Sequence, residues 1–326
     1  LANCIAFHSY KGGTGKTTIA ANFAASLANR GYHVFLLDLD IYAPSLQSYF
    51  EKEPKKWIND FLYSTAELEE VLTDLTPTVI ENNKNNSENN RKKNKKSNNG
   101  KLWVAFSNSK KEEIYKLEGG TSGGGGAGRQ DTSKIQLLRR FILLREQLIS
   151  QYDADYIIID TSPGIRYWSI NALAVADTLF LTLKMGDLDI EGTRKMADEI
   201  YGSFTKFGAK SYLLLNRVAG YCVPNIRDET PMVSPATVSN DDSTLHLRNN
   251  GPSGLMQLQQ EQTKKDVKNM LSDEVGMNII SAIPCYCDIQ FTRKEFLTVL
   301  RYPDHPFAKQ VEQLIESMQG VLQTKV

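Results

Sequence analysis

The sequence predicts an α/β fold, a doubly wound, mostly parallel β-sheet flanked by helices, and three observations predict it. A short apolar run, Cys4 to Phe7, leads into the glycine-rich stretch Lys11-Gly12-Gly13-Thr14-Gly15-Lys16-Thr17-Thr18 and then into a helical segment, Ile19 to Leu27. Two further runs, Tyr32 to Leu39 and Tyr156 to Asp160, are apolar at nearly every position, as parallel strands must be when both faces are covered. Strand-like and helix-like segments then alternate through most of the 326 residues, the pattern of βαβ crossovers.

The first of these segments is built to hold a polyphosphate. Gly12, Gly13 and Gly15 let successive backbone N–H groups turn inward, and the following helix adds its positive end. Lys16 supplies a charge for the β- and γ-phosphates, and the Thr17 hydroxyl is placed for Mg²⁺. Tyr10 stands where the pattern G-x-x-x-x-G-K-[ST] puts its first glycine. The G-x-G-x-x-G spacing of dinucleotide folds is not met, because Thr18 falls at its third glycine.

In chain order, the second strand ends in Asp38 and Asp40, which bracket Leu39 and so point to one side, at the strand end where open α/β sheets bind ligands. The plainer alternative is two acidic residues that cap a strand. Amphipathic helical pieces are expected at Trp57–Tyr63 and Thr65–Leu75, a strand at Leu102–Phe106, and a long helix at Lys134–Gln151. On that helix Ile135, Leu138, Phe141, Ile142, Leu144 and Leu148 form the expected apolar face. Asp160 closes the most strongly apolar strand and is followed by Thr161-Ser162-Pro163-Gly164, the form of a carboxylate that orders Mg²⁺ and leads into a switch loop. Gly164 leaves the backbone free to approach a γ-phosphate, whereas a bare reading makes Asp160 a helix cap. Strands are expected at Thr178–Leu183 and Ser211–Leu215 around a helix near Ile190–Phe207, with an irregular excursion at Tyr221–Gly254. Helix Leu258–Leu271, strand Met277–Ile283 and helices near Arg293–Leu300 and Pro306–Leu322 complete a single domain spanning 1–326.

Two stretches interrupt it. Residues 81–100 are rich in Asn, Lys and Ser with almost nothing apolar, so a disordered insertion is expected. Residues 119–133 contain four consecutive glycines and read as a flexible linker. Formal net charge is zero, so any nucleic-acid contact must come from a local patch; Arg91-Lys92-Lys93-Asn94-Lys95-Lys96 is one such run, and charge runs are usually just solvated. Nothing approaches eighteen uninterrupted apolar residues, and four cysteines do not make a disulfide framework. A soluble cytoplasmic protein is the expectation.

Taken together, KGGTGKTT, DLDIYAPS, IIIDTSPG, LLLNR and the late IPCYCDIQ resemble, in order, the MinD/ParA group of deviant Walker A P-loop ATPases. Mrp-type iron–sulfur carriers and the nitrogenase iron protein belong to the same wider class. The resemblance implies ATP or ADP with Mg²⁺ as ligands, held by the loop from Lys11 to Thr18. By the same resemblance Thr18 touches the α-phosphate, and Lys11 reaches across a nucleotide-sandwich homodimer to the partner's phosphates. Asp40 orients the attacking water within the metal's shell, and Asp38 and Asp160 hold that shell. Asn216 reads adenine, with Arg217 beside it and Pro284 walling the base, although Asn after a strand is also an ordinary turn residue. An ATP-dependent dimer that positions or partitions a regulatory or cargo protein follows from this resemblance.

Two rivals remain from the same class. An iron–sulfur carrier would use Cys285 and Cys287, yet their spacing is C-x-C where those relatives have C-x-x-C. A small-molecule ligase or kinase would lack the bridging Lys11. Membrane attachment would use the terminal helix, whose stripe Val311, Leu314, Ile315, Met318, Val321 and Leu322 is faced by Glu312 and Glu316. A membrane-surface helix should be basic, so core packing is the expected use, and peripheral contact with membrane or nucleoid has little support.

Overall fold

The computed structural model of the chain describes residues 2–79, 100–117, 127–218, 269–290, 292 and 294–323. Most of the insertion at 81–100, residues 119–126, the excursion from Tyr221 and the helix expected from Leu258 to 268 lie outside them.

Eight strands form one sheet: β1 (Asn3–His8), β2 (His33–Leu39), β3 (Leu72–Asp74), β4 (Lys101–Ala105), β5 (Tyr156–Thr161), β6 (Thr178–Lys184), β7 (Lys210–Val218) and β8 (Ile279–Pro284). Their order is β3-β4-β2-β5-β1-β6-β7-β8, and every pairing is parallel except β3 with β4. Helices of eight residues or more are α1 (Lys16–Asn29), α2 (Ala127–Tyr152), α3 (Tyr167–Ala174), α4 (Asp187–Met196) and α5 (Pro306–Gln323).

The continuous apolar strands have the physical cause expected of them. Alternate residues of β1, β2 and β5 enter opposite cores: Ile5, Phe7, Val34, Leu36 and Ile158 pack with α1 and α5, while Cys4, Ala6, Phe35, Leu37, Ile157 and Ile159 pack toward α2 and α3. On the first side Phe7, Phe23 and Phe180 meet edge to face, with centroids 5.1–6.4 Å apart. The chain runs from β1 to β2 on one side and from β5 across β1 to β6 on the other. The carboxyl ends of β2, β5 and β1 therefore line the crevice where such sheets bind ligands.

Local expectations needed correction in five places, the first being the helix expected near Arg293–Leu300, where, among the described residues, only Thr298–Arg301 is helical. Thr65–Leu75 is not one helix: only Leu68–Val71 is helical, and Leu72–Asp74 adds an antiparallel edge strand to β4. A run this short carries too few periods to separate helix from strand. Helix α2 begins at Ala127, inside the stretch expected to be a linker, because Arg129 to Lys134 contain no helix breaker. Its apolar face is narrower than the periodicity suggests: Phe141, Leu144 and Leu148 are buried, but Ile135 and Ile142 are exposed. The helix expected near Ile190–Phe207 starts at Asp187, and a π-helical turn, Ala197–Tyr201, separates α4 from a last turn at Gly202–Lys206.

Candidate functional site

The loop from Ser9 to Gly15 joins β1 to α1, and its geometry depends on two glycines with positive φ, Gly13 at 75° and Gly15 at 86°. Gly15 is the N-cap of α1, so the unpaired N–H groups of the first helical turn face the loop. It is also a close-approach position, since a Cβ there would lie 2.3 Å from the Asn216 Nδ2 atom. Lys16 opens α1 with only 5% of its surface exposed.

Parallel register brings the carboxylates together. Asp38 on β2 pairs with Asp160 on β5, and Phe7, just before the loop, pairs with Asp160 from the other side. Thr17 Oγ1 donates to Asp160 Oδ2 at 2.6 Å, and the Asp40 N–H donates to Asp38 Oδ1 at 3.1 Å. Each carboxylate keeps one buried oxygen, Asp160 Oδ1 and Asp38 Oδ2, with no hydrogen-bond partner among the described residues. Burial pushes the Asp160 carboxyl up to about 6 against the opposing pull of Lys16 and Thr17. Burial, then the neighbouring Asp160, raises Asp38 well above the usual carboxylate range.

Two unpartnered carboxylate oxygens beside a hydroxyl are the hard donors a divalent cation takes. Mg²⁺ characteristically uses one or two carboxylates and completes its shell with phosphate and water. No group of three or more His, Cys, Asp or Glu residues able to hold a metal occurs among the described residues.

Asp40 is tied differently. Its Oδ1 accepts from Ser162 Oγ at 2.9 Å and from the Ala43 N–H at 3.3 Å. Gly164 has φ 83°, and its N–H donates to the Ser9 carbonyl at 2.9 Å, anchoring the loop after β5 to the loop after β1. Thr18 Oγ1 accepts from the Tyr49 hydroxyl at 2.8 Å, so the Thr18 proton remains available to a phosphate oxygen. Beneath the loop, His8 is buried against Thr161, and burial together with Lys16 pushes it down to about 3.

Lys11 lies at the exposed mouth and forms an ion pair with Asp189 of α4, Nζ to Oδ1 2.9 Å. Tyr10, at the position where the general pattern has glycine, packs its side chain outward from the loop. Its ring lies against Gly192 of α4, where a Cβ would come within 2.0–2.5 Å of three ring atoms. Gly12 and Gly13 are exposed, and Thr14 is buried. Asn216 at the end of β7 is buried and donates its side-chain amide to the Thr14 carbonyl at 2.7 Å, which docks it on the phosphate loop. Arg217 has φ 55° at an irregularity in the β7–β8 pairing, and its guanidinium lies near Gly15. Pro284 pairs with Val218 one strand further out.

Lys16, Thr17, Asp38, Asp40 and Asp160 therefore converge, with Asn216 and Gly164 against the same loop; Lys11 points to its own chain, and Pro284 sits at the rim. Sequence reasoning missed Ser162, Tyr49, Asp189 and Gly192. Ser162 stands inside a quoted motif and was open to notice; nothing local marks the other three.

Cys285 and Cys287 are partly buried after β8, and the Cys285 N–H donates to the Val218 carbonyl at 3.0 Å. In α5, Val311, Leu314, Ile315 and Met318 are buried against α1 and the sheet, so this stripe is core. No helix among the described residues is long and apolar enough to cross a membrane.

Known proteins share this fold. The MinD septum site-determining protein of Pyrococcus horikoshii, complexed with Mg-ADP, superposes with TM-score 0.60 over 100% of this chain and 99% of that one at 17% identity. The MinC:MinD complex of Aquifex aeolicus gives 0.60 over 98% and 96% at 18% identity. An iron–sulfur cluster carrier protein of Aquifex aeolicus is 54% identical over 46 residues, only 14% of this chain and 13% of that protein. The profile described as CobQ/CobB/MinD/ParA nucleotide binding domain matches residues 5–231. That match spans more than half of the 326 residues, and the chain belongs to the CobQ/CobB/MinD/ParA nucleotide-binding family.

Proposed function

We propose that this protein is a Mg²⁺-dependent ATPase that works as a nucleotide-controlled switch, dimerising with ATP and engaging a regulatory or cargo partner. The observation that carries the reading is the pair of buried, unpartnered carboxylate oxygens on Asp38 and Asp160, with the second oxygen of Asp160 bonded to Thr17 at the start of α1. These residues fit Mg²⁺ with a nucleotide polyphosphate.

Phosphoryl transfer to water needs positioning and charge neutralisation more than covalent help. Backbone N–H groups of Gly12 to Lys16 and the Lys16 ammonium hold the β- and γ-phosphates, and Thr18 holds the α-phosphate. Thr17, Asp38 and Asp160 would hold Mg²⁺ and its waters, and the bound metal would offset charge between the transferred and leaving oxygens. Asp40 orients the attacking water. Asn216, Arg217 and Pro284 border the base. Lys11 serves the phosphates of a second copy, so hydrolysis depends on dimerisation, and release of phosphate loosens the loops that carry Asp40 and Gly164.

The experiment is Mg-ATP turnover by the full chain, with fluorescent-nucleotide binding measured in parallel. Lys16→Ala is expected to lose binding, and Lys11→Ala to lose turnover while keeping binding. Turnover unchanged in Lys11→Ala would favour a ligase or kinase of the same class. The iron–sulfur alternative has the short local match in its support; iron content and visible absorbance of anaerobically purified protein decide it.

A further inference from the structure

We infer that Ser162 is a positioning residue for hydrolysis, aiming the Asp40 carboxylate at the attacking water and tying that aim to helix α3. The inference rests on the proposed role of Asp40 and adds a residue that this role does not require.

Among the described residues, both donors to the Asp40 side chain converge on one oxygen. Oδ1 takes the Ser162 hydroxyl at 2.9 Å and the Ala43 N–H at 3.3 Å, which leaves Oδ2 as the acceptor for a water proton. Both are assisted by the carboxylate charge, and of the two the Ser162 bond is the shorter and the closer contact. Without it the carboxylate is held by a long backbone contact alone and can turn about its Cβ–Cγ bond.

Ser162 is itself held in place. It is fully buried, and its hydroxyl has one proton with two acceptors in reach, Asp40 and the Leu39 carbonyl at 3.3 Å. The indole of Trp168 also donates to that carbonyl at 3.1 Å and takes one of its two acceptor sites, so Asp40, the nearer and charged acceptor, is the better partner for the Ser162 proton. The Ser169 hydroxyl donates to the Ser162 carbonyl at 2.9 Å. Trp168 and Ser169 both lie in the first turn of α3. Beside them Arg166 lies over the Tyr42 ring at 4.2 Å, so the segments after β2 and β5 also meet at the surface. A displacement of α3 therefore reaches Asp40 through Ser162.

The test is steady-state and single-turnover Mg-ATP hydrolysis with ATP affinity measured separately. Ser162→Ala is expected to lower kcat about tenfold to a hundredfold with ATP affinity unchanged, the cost of a misplaced reacting group. Ser162→Thr, which keeps the hydroxyl, restores most of the rate. In an Asp40→Ala background Ser162→Ala adds no further loss, because its effect runs through that carboxylate. Wild-type kcat in Ser162→Ala, a loss that persists in the Asp40→Ala background, or a parallel loss of ATP affinity overturns the inference. Should Ser162→Ala fail to fold, Trp168→Phe frees Leu39 to compete for the Ser162 proton; a smaller kcat loss, absent in the Asp40→Ala background, supports the inference, and an unchanged kcat counts against it. Full activity in Asp40→Ala removes the role of Asp40 and this inference together, whereas an inactive Asp40→Ala beside a normal Ser162→Ala removes only the latter.

Discussion

Asp160 keeps its proton in the folded chain at pH values where the unfolded chain has lost it, since its carboxyl is raised from 3.8 to about 6. Its contribution to stability is therefore favourable at low pH and is lost as pH rises through about 6, leaving a buried charge beside Asp38. Nucleotide-free Asp160→Asn should melt above the nucleotide-free wild type at about pH 8, and the gap should close as pH falls below about 6. His8 has the opposite sign, because its depressed value makes the folded chain lose stability as pH falls below the ordinary histidine range. It is common to both proteins, so the melts are compared at each pH; a gap that does not change with pH contradicts the burial argument. Residues of this kind were legible where the chain keeps them local: Lys16 and Thr17 lie within one glycine-rich stretch, and Asp160 ends an unbroken apolar run. The Ser162–Asp40 bond was not, because it joins positions 122 residues apart and no periodicity reports on such a pair.

Among the elements, β5 and α5 show what pattern can and cannot fix. β5 lies between β2 and β1 with all six residues buried, and its composition alone announced that place. α5 posed a choice between lipid and protein for one apolar stripe, and the acidic residues on its other face gave the direction. Glu312 meets Arg30 and Ser26 of the α1 region, which clamps the helix over the sheet. Leu314→Ala should cost about 2–5 kcal/mol in denaturant unfolding, the range for a large-to-small change in a packed core. A change under about 0.5 kcal/mol would mean a surface helix. β3 escaped detection because three residues on a sheet edge carry no more than one alternation. The start of α2 escaped for another reason: the glycines upstream drew attention away from helix-compatible residues after Ala127.

On the scale of the whole molecule, the described residues build one sheet with its chemistry at the carboxyl ends of its central strands, and the proposed dimer would close over those ends. Lys11 is not poised for a second copy in this conformation, because Asp189 of its own chain holds it. The contact is partly exposed, with side-chain exposures of 45% and 24%, so it is weak enough to be exchanged for phosphate. Asp189→Asn should raise the dimer fraction at a subsaturating ATP concentration, measured by light scattering with turnover blocked through Asp40→Ala. An unchanged or lower dimer fraction would mean that the pair does not restrain Lys11. The sheet order and the phosphate loop were open to reading from the chain alone. How one loop grips a distant helix was not, since that depends on which crossovers the topology sets side by side.

Tyr10 resting on Gly192 gives α4 a second hold on the phosphate loop, one turn from the Asp189 grip on Lys11. The helix thus works as a handle fixed to the loop at two points, with Leu188 standing 74% exposed on its outer side. A displacement of that handle would move the cradle through Tyr10 and Lys11, with nothing entering it.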